Sequence, residues 1–307
     1  MHKLKYWLAA ARLRTLPLSV SGIIVGSSLS GYTNRQFNQI LEIQTKDYYI
    51  FFGALFTTIV FQILSNFAND YGDGVKGTDT LRKGEARMVS SGKISSKQMK
   101  NATITFALIG LMLSINLVFY AFKGYNLGYV FLFLGLGIAS IVAAIKYTVG
   151  NNAYGYSGFG DVFVFIFFGL LSVCGSYFLY TKTLNLNIIL PAISIGMLSV
   201  AVLNLNNMRD IENDKTNNKN TLVVKKGYAW AKQYHLILVL LPLILSCVYV
   251  YFNYKSLTQF VFFVAFIPLF FHLKKIRFNK NQELLDGELK KVALSTFLYA
   301  VLFSIFN

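Results

Sequence analysis

Apolar runs close to the length of a membrane-crossing helix recur along almost the whole chain, and they decide its architecture before any single residue is considered. Hydropathy marks nine of them, at 16–32, 48–67, 102–122, 127–145, 161–181, 188–207, 234–252, 257–272 and 292–306. At about 1.5 Å of rise per residue, roughly 20 apolar residues in a helix cross the hydrocarbon core. Inside that core every backbone N–H and C=O must be satisfied internally, which leaves helices and closed barrels as spanning structures. A barrel needs short segments of alternating polarity, whereas runs such as 102–122 and 161–181 are continuous. The chain therefore reads as an all-α, polytopic membrane protein, a single integral-membrane domain over 1–307 built as a bundle of nine transmembrane helices with cytoplasmic cap loops. Charged residues make up only 14% of it, where a soluble domain carries about 25%.

Nine spans put the two termini on opposite sides, so the 29 Lys and Arg can be divided between two faces. Segments 1–15, 68–101, 146–160, 208–233 and 273–291 hold 24 of them, and the loops of the other face hold 5. Basic loops remain cytoplasmic, which places the N-terminus and the large loops there. The first span is expected to stay as an anchor, because Lys3, Lys5, Arg12 and Arg14 precede an apolar stretch without a small-residue cleavage site. The net charge of +16 is then accounted for by topology and attraction to anionic membrane lipid, with nucleic acid a poor second. Cys174 and Cys247 both lie in apolar runs, and His2, His235 and His272 are scattered, so no disulfide or Cys/His metal site is expected.

The scarce carboxylates are concentrated. Seven of 13 fall in two loops of the same face: Asp70, Asp73, Asp79 and Glu85 after the second span, and Asp210, Glu212 and Asp214 after the sixth. In the first motif (66–79), Asn66, Asp70 and Asp73 stand at i, i+4 and i+7 and share one helix face, with Asn69 beside them. Gly72, Gly74 and Gly77 are expected to end that helix soon afterwards, so that Asp79 reaches the cluster from a loop. In the second motif (206–222), Asn206, Asp210 and Asp214 form a similar stripe beside Asn207 and Arg209, 140 residues further on, which suggests an internal duplication. One such cluster alone would be read as helix caps and solvated loop. Two on one face suit Mg²⁺, which takes one or two carboxylates and completes its shell with water and phosphate oxygens. Lys76, Arg82, Arg87, Arg209 and Lys219 can contact the phosphates directly.

A third stretch, residues 146–161, supplies Lys146, Tyr147, Asn151, Asn152, Tyr154, Tyr156 and Asp161. It serves equally well as the orienting wall for an aromatic substrate or as an interfacial aromatic belt. The 28 Phe and 19 Tyr can line a channel for a polyisoprenoid chain and stabilise an allylic cation, although lipid contact accounts for most of them individually.

The pieces NDYGDGVKGTD (69–79), YTVGNNAYGYSGFGD (147–161) and NNMRDIENDKTNNKNTL (206–222) resemble the UbiA superfamily of intramembrane prenyltransferases, and within it the branch acting on 1,4-dihydroxy-2-naphthoate in menaquinone synthesis. The resemblance implies that Asn66, Asn69, Asp70, Asp73 and Asp79 bind Mg²⁺ and diphosphate from one side, and Asp210 and Asp214 from the other. Asn207, Arg209 and Lys219 would lie near the phosphates, with Arg87 on the first loop, and Tyr147 and Tyr154 on the aromatic-substrate side. It implies a Mg²⁺-dependent transfer from polyprenyl diphosphate to 1,4-dihydroxy-2-naphthoate, with loss of CO₂ and diphosphate. Asn218 departs from the branch, which usually has Gly before the Lys. Other readings are a related enzyme with 4-hydroxybenzoate, homogentisate or haem as acceptor, and a divalent-cation transporter. Transport calls for ionisable residues near mid-membrane, and both Asp clusters fall at span ends.

Overall fold

The computed structural model describes residues 2–32, 45–78, 87–279 and 281–307. Among these residues every regular element is helical, and nine helices are long and apolar enough to cross a membrane. They are α1 (Lys3–Gly31), α2 (Lys46–Lys76), α3 (Ser96–Ala121), α4 (Leu127–Lys146), α5 (Gly160–Thr181), α6 (Leu186–Arg209), α7 (Tyr228–Phe252), α8 (Leu257–Phe278) and α9 (Asp286–Phe306).

Several of these helices run beyond the apolar runs that announce them, at the end where the two Asp motifs lie. Hydropathy sees the lipid-contacting stretch, whereas the backbone ladder continues until something caps it. Thus α3 starts at Ser96 behind a reciprocal Ser95–Gln98 capping box. Gly72 and Gly74 do not end α2 as expected. A Cβ at Gly72 would come within 2.6 Å of Thr148 Oγ1, and one at Gly74 within 2.5 Å of Val89 Cγ1, so these glycines serve close packing. The helix stops after Lys76, at Gly77, whose φ of +70° is left-handed. In α1 a left-handed Arg12 (φ 48°) separates His2–Ala11 from the deeper segment Leu16–Ser27, which carries Pro17 in its first turn.

The bundle is solid on one side and hollow on the other. Helices α6 to α9 pack a continuous core that includes Leu198, Leu205, Phe266, Tyr299 and Phe303, all fully buried. The Tyr299 hydroxyl pairs with Ser246 Oγ at 2.7 Å, so a polar tip at that depth is satisfied. α5 meets α6 where Gly169 faces Gly196: a Cβ on Gly169 would lie 2.6 Å from the Gly196 Cα, a close small-residue crossing. Gly169→Leu is expected to cost at least about 1–3 kcal/mol through overpacking. A lowered melting temperature in detergent checks this, and an unchanged one would show that the crossing yields. On the outside, Phe131, Leu132 and Ile138 of α4 and Phe271 of α8 are exposed, as side chains facing lipid would be.

Two histidines that look unrelated in the sequence meet inside the solid half. Asn204 Nδ2 lies 3.4 Å from His235 Nδ1, His235 Nε2 lies 2.8 Å from His272 Nε2, and His272 Nδ1 lies 2.6 Å from Glu288 Oε2. Lys275 (2.9 Å) and Lys291 (3.0 Å) both approach Glu288 Oε1. A carboxylate held by two ammonium groups only accepts, so His272 donates from Nδ1 and accepts at Nε2. His235 then donates from Nε2 and accepts from Asn204. One direction of donation thus runs from α6 through α7 and α8 to α9.

Candidate active site

The first motif occupies the last turns of α2. Asp70 is 1% exposed, and its two carboxylate oxygens accept the backbone N–H groups of Met88 (3.0 Å) and Val89 (2.9 Å), which ties the chain returning towards α3 down onto α2. Asp73, one turn on, accepts from the Tyr156 hydroxyl (2.8 Å) and from Arg87 Nη2 (3.0 Å). Asn66 points elsewhere: its Nδ2 donates to the Ala11 carbonyl (2.9 Å) and to Thr15 Oγ1 (3.2 Å), fixing the junction within α1. Asn69 Oδ1 accepts from Thr148 Oγ1 at 3.2 Å. Asp79, expected as a further ligand, and Arg82 and Glu85 lie outside the described residues.

The second motif closes α6. Arg209 forks onto the carboxylate of its own neighbour, with Nε 2.7 Å from Asp210 Oδ1 and Nη2 2.8 Å from Oδ2. Its Nη2 also donates to Asn206 Oδ1 (2.7 Å), and its Nη1 to Asp286 Oδ1 (2.6 Å) on the first turn of α9. Asp214 sits in the short helix Ile211–Thr216, 3.6 Å from Lys219 Nζ. Asn218 takes φ +53°, a left-handed conformation that Asn tolerates and most residues do not. Asn218→Gly is accordingly expected to keep activity within about twofold. Asn218→Val, strained in that conformation, should lose most of it while Lys219 is displaced; equal activity of both variants in a turnover assay would contradict this.

The two motifs come together through small polar groups. The Thr78 carbonyl accepts from both Asn213 Nδ2 and Asn217 Nδ2, each at 3.0 Å. Tyr156 stands between them. Its hydroxyl serves Asp73, its carbonyl accepts the Asn220 N–H (2.9 Å), and its ring lies 3.9 Å from Lys76 Nζ and 5.6 Å from Lys219 Nζ. Tyr156, Asn213, Asn217 and Asp286 are thus parts of the site that motif spacing did not single out. Tyr156 carried a weak signal from its polar stretch; Asp286 carried none, since it opens a span remote from both motifs.

Beneath this polar cap lies a cavity of about 350 Å³, walled by α1 to α5 with Leu203 of α6. It begins at Asn66, Asn69 and Tyr147 and reaches Ile23, Leu117 and Leu179. Along α2 its lining runs from Asn69 to Ala54, roughly 22 Å at helical rise. One wall is an aromatic row: Tyr147 to Tyr154 at 5.3 Å, Tyr154 stacked on Phe163 at 3.9 Å, and Phe163 to Phe167 at 6.1 Å. A widened π-type stretch of α5, Phe165–Leu171, supplies Phe167, Phe168 and Leu171 to this wall, the kind of irregularity often found at functional sites. Burial pushes the phenols of Tyr147 and Tyr154 well above their ordinary range, helped at Tyr147 by the Asp161 carboxylate and at Tyr154 by Tyr147, so both stay neutral donors. The Tyr154 hydroxyl spends its proton on the Ala143 carbonyl at 2.9 Å.

Among the described residues no three His, Cys, Asp or Glu side chains converge closely enough to hold a metal unaided. Of the six expected ligands, Asn66 and Asp70 are engaged in holding the loops, and Asp79 lies outside the described residues. The donors present are nonetheless all oxygen, and the Asn207 side-chain oxygen, one turn before Asp210, is buried without a hydrogen-bond partner. This set fits a Mg²⁺ ion bound through one or two carboxylates and completed by phosphate oxygens and water. Asp73, Asp210, Asp214 and Asn207 are the groups that would hold it.

Comparison with known proteins gives this arrangement its place. The chain belongs to the UbiA prenyltransferase family, whose model matches residues 41–300. It is 40% identical over 305 residues to a 1,4-dihydroxy-2-naphthoate octaprenyltransferase of Haemophilus influenzae, covering 99% of this chain and 96% of that one. A protein of the same name from Escherichia coli is 42% identical over 260 residues, 84% of this chain and 80% of its relative. Among solved structures, a UbiA homolog from Archaeoglobus fulgidus bound to DMAPP and Mg²⁺ has the same fold, with a TM-score of 0.64 at 14% identity over 97% of this chain and 99% of that one.

Proposed function

We propose that the protein transfers a polyprenyl group from polyprenyl diphosphate to 1,4-dihydroxy-2-naphthoate, releasing diphosphate and CO₂ and yielding demethylmenaquinol, the reduced form of demethylmenaquinone. The observation that carries this is the joining of two Asp-rich motifs over the mouth of an aromatic-lined cavity about four helical turns long. The acceptor rests on the relatives, which share their name across most of this chain. The site is proposed to face the cytoplasm of a bacterial inner membrane, on the basic side of the bundle.

The diphosphate lies across the cap, with Lys76, Arg87 and Lys219 offering cationic donors and the prenyl tail extending down past Tyr154, Phe163 and Phe167. Mg²⁺, when bound, neutralises the charge that develops on the leaving diphosphate. The residues contribute placement: Asp70 pins the loop that carries Arg87, and Tyr156 holds Asp73 towards the second motif. Ring faces of Tyr154 and Phe163 border the allylic carbon as it becomes cationic. The cavity keeps water from that carbon. The naphthoate ring forms the new C–C bond as the C–O bond to diphosphate breaks. Cleavage of the bond to CO₂ returns its electron pair to the ring and restores aromaticity.

Purified protein in detergent, given polyprenyl diphosphate, Mg²⁺ and 1,4-dihydroxy-2-naphthoate, is expected to form the prenylated naphthoquinol with CO₂ release, and to stop on addition of EDTA. Transfer to 4-hydroxybenzoate alone would keep the site and overturn the acceptor. Failure to prenylate any aromatic, with Mg²⁺ flux into liposomes, would favour the transporter.

A further inference from the structure

The carboxylate of Asp286 enters the site from a helix that contributes nothing else to either motif. Arg209 has five N–H groups on three nitrogens. Its Nε and Nη2 face Asp210, its Nη2 also reaches Asn206, and its Nη1 is taken by Asp286 at 2.6 Å. On its other oxygen Asp286 meets Arg14 of α1 at 3.6 Å. The Arg209 side chain is 3% exposed, and that of Asp286 is 44% exposed. A nearly dry guanidinium therefore sits between two carboxylates, one belonging to the second motif and one anchored outside it.

We propose that Asp286 is a positioning residue that retains Arg209 when the Asp210 carboxylate turns to a divalent cation; this rests on the reading of Asp210 as a metal-binding group. The argument is one of competition. A cation and a guanidinium compete for the best-placed lone pairs of the same two oxygens and repel each other there, and a buried guanidinium drawn off Asp210 with no second carboxylate would face much of the cost of an uncompensated buried charge. Asp286 removes that cost, because the Nη1 edge keeps a charge-assisted partner throughout. Arg14 supports the arrangement from behind by holding the second Asp286 oxygen. Without Asp286, Arg209 has Asp210 as its sole carboxylate partner among the described residues and opposes the metal.

The test measures Mg²⁺-dependent binding of inorganic diphosphate to the intact protein in detergent by calorimetry, alongside Mg²⁺ titration of turnover. Asp286→Asn is expected to raise the Mg²⁺ midpoint of diphosphate binding about tenfold while kcat at saturating Mg²⁺ falls by no more than about threefold. Asp286→Glu should recover most of the shift, and Asp286→Ser, compatible with a helix start, should reproduce it if the Asn variant folds poorly. In an Arg209→Gln background Asp286→Asn should add nothing, since the two act through one contact. A midpoint unchanged in the single variants, or shifted equally in the Arg209→Gln background, would overturn the proposal. Diphosphate binding that persists unaltered in Asp210→Asn would instead remove the reading on which it rests.

Discussion

Asp73→Asn is expected to lower turnover by about 10³-fold or more, with unchanged elution from a sizing column. Asp73 is 2% exposed, and its two oxygens are divided between the Tyr156 hydroxyl and Arg87. The amide keeps the size of the side chain, so packing around α2 is preserved. It removes a negative charge from the one carboxylate linked to both the first loop and Tyr156, and turns one acceptor into a donor that faces either the guanidinium or the phenol. Losing a single preorganised electrostatic group typically costs 10²–10³ in rate, and loss of a metal contact adds to it. Asp70→Asn makes the contrast. Its two oxygens hold backbone N–H groups, so the substitution should lower thermal stability and activity together. Activity of Asp73→Asn within tenfold of wild type would take Asp73 out of the diphosphate site.

The second large effect is one of substrate length. Gly175 lines the cavity wall about four turns into α5, and a Cβ there meets only ordinary contacts, 3.4 Å to Leu171 and 4.0 Å to Phe133. Gly175→Phe is therefore expected to fold and to place a ring across the deep part of the cavity. Octaprenyl diphosphate should lose at least about a hundredfold in kcat/KM, whereas dimethylallyl diphosphate, whose five carbons stay near the mouth, should lose less than about threefold. Equal losses for both donors would mean that the tail does not follow this path.

Much of this molecule is legible in the linear sequence because a membrane simplifies the code. Nine apolar runs and the bias of 24 out of 29 basic residues to alternate loops follow from the solvent alone, and the nine spans correspond to nine helices among the described residues. The stripes Asn66–Asp70–Asp73 and Asn206–Asp210–Asp214 are legible because helical spacing is local. What they touch is not. That Asp70 anchors Met88 and Val89, whereas Asp73 faces Tyr156, depends on how a loop folds back. Glycine was misread for a related reason: Gly72 and Gly74 look like helix stops until Thr148 and Val89 are seen against them. His235 and His272 stand 37 residues apart and meet only because α7 and α8 pack side by side. Asp286 carries no signal at all, since its partner Arg209 lies 77 positions away and its neighbours in sequence resemble any helix start.

The Thr78 carbonyl, holding Asn213 and Asn217, also bears on when the site exists during the life of the chain. Those contacts close over sequence separations of 135 and 139 residues. At translation rates of about 5–20 residues per second, roughly 7–28 s pass between synthesis of the first motif and arrival of the second. For that interval Asp73 and its loop are made but not joined to their counterpart, and closure of so long a loop carries an entropic cost that local helix formation does not. Nascent chains truncated before α6 would therefore carry inserted helices without a completed site, and diphosphate affinity would appear only as the sixth span and its loop take their place.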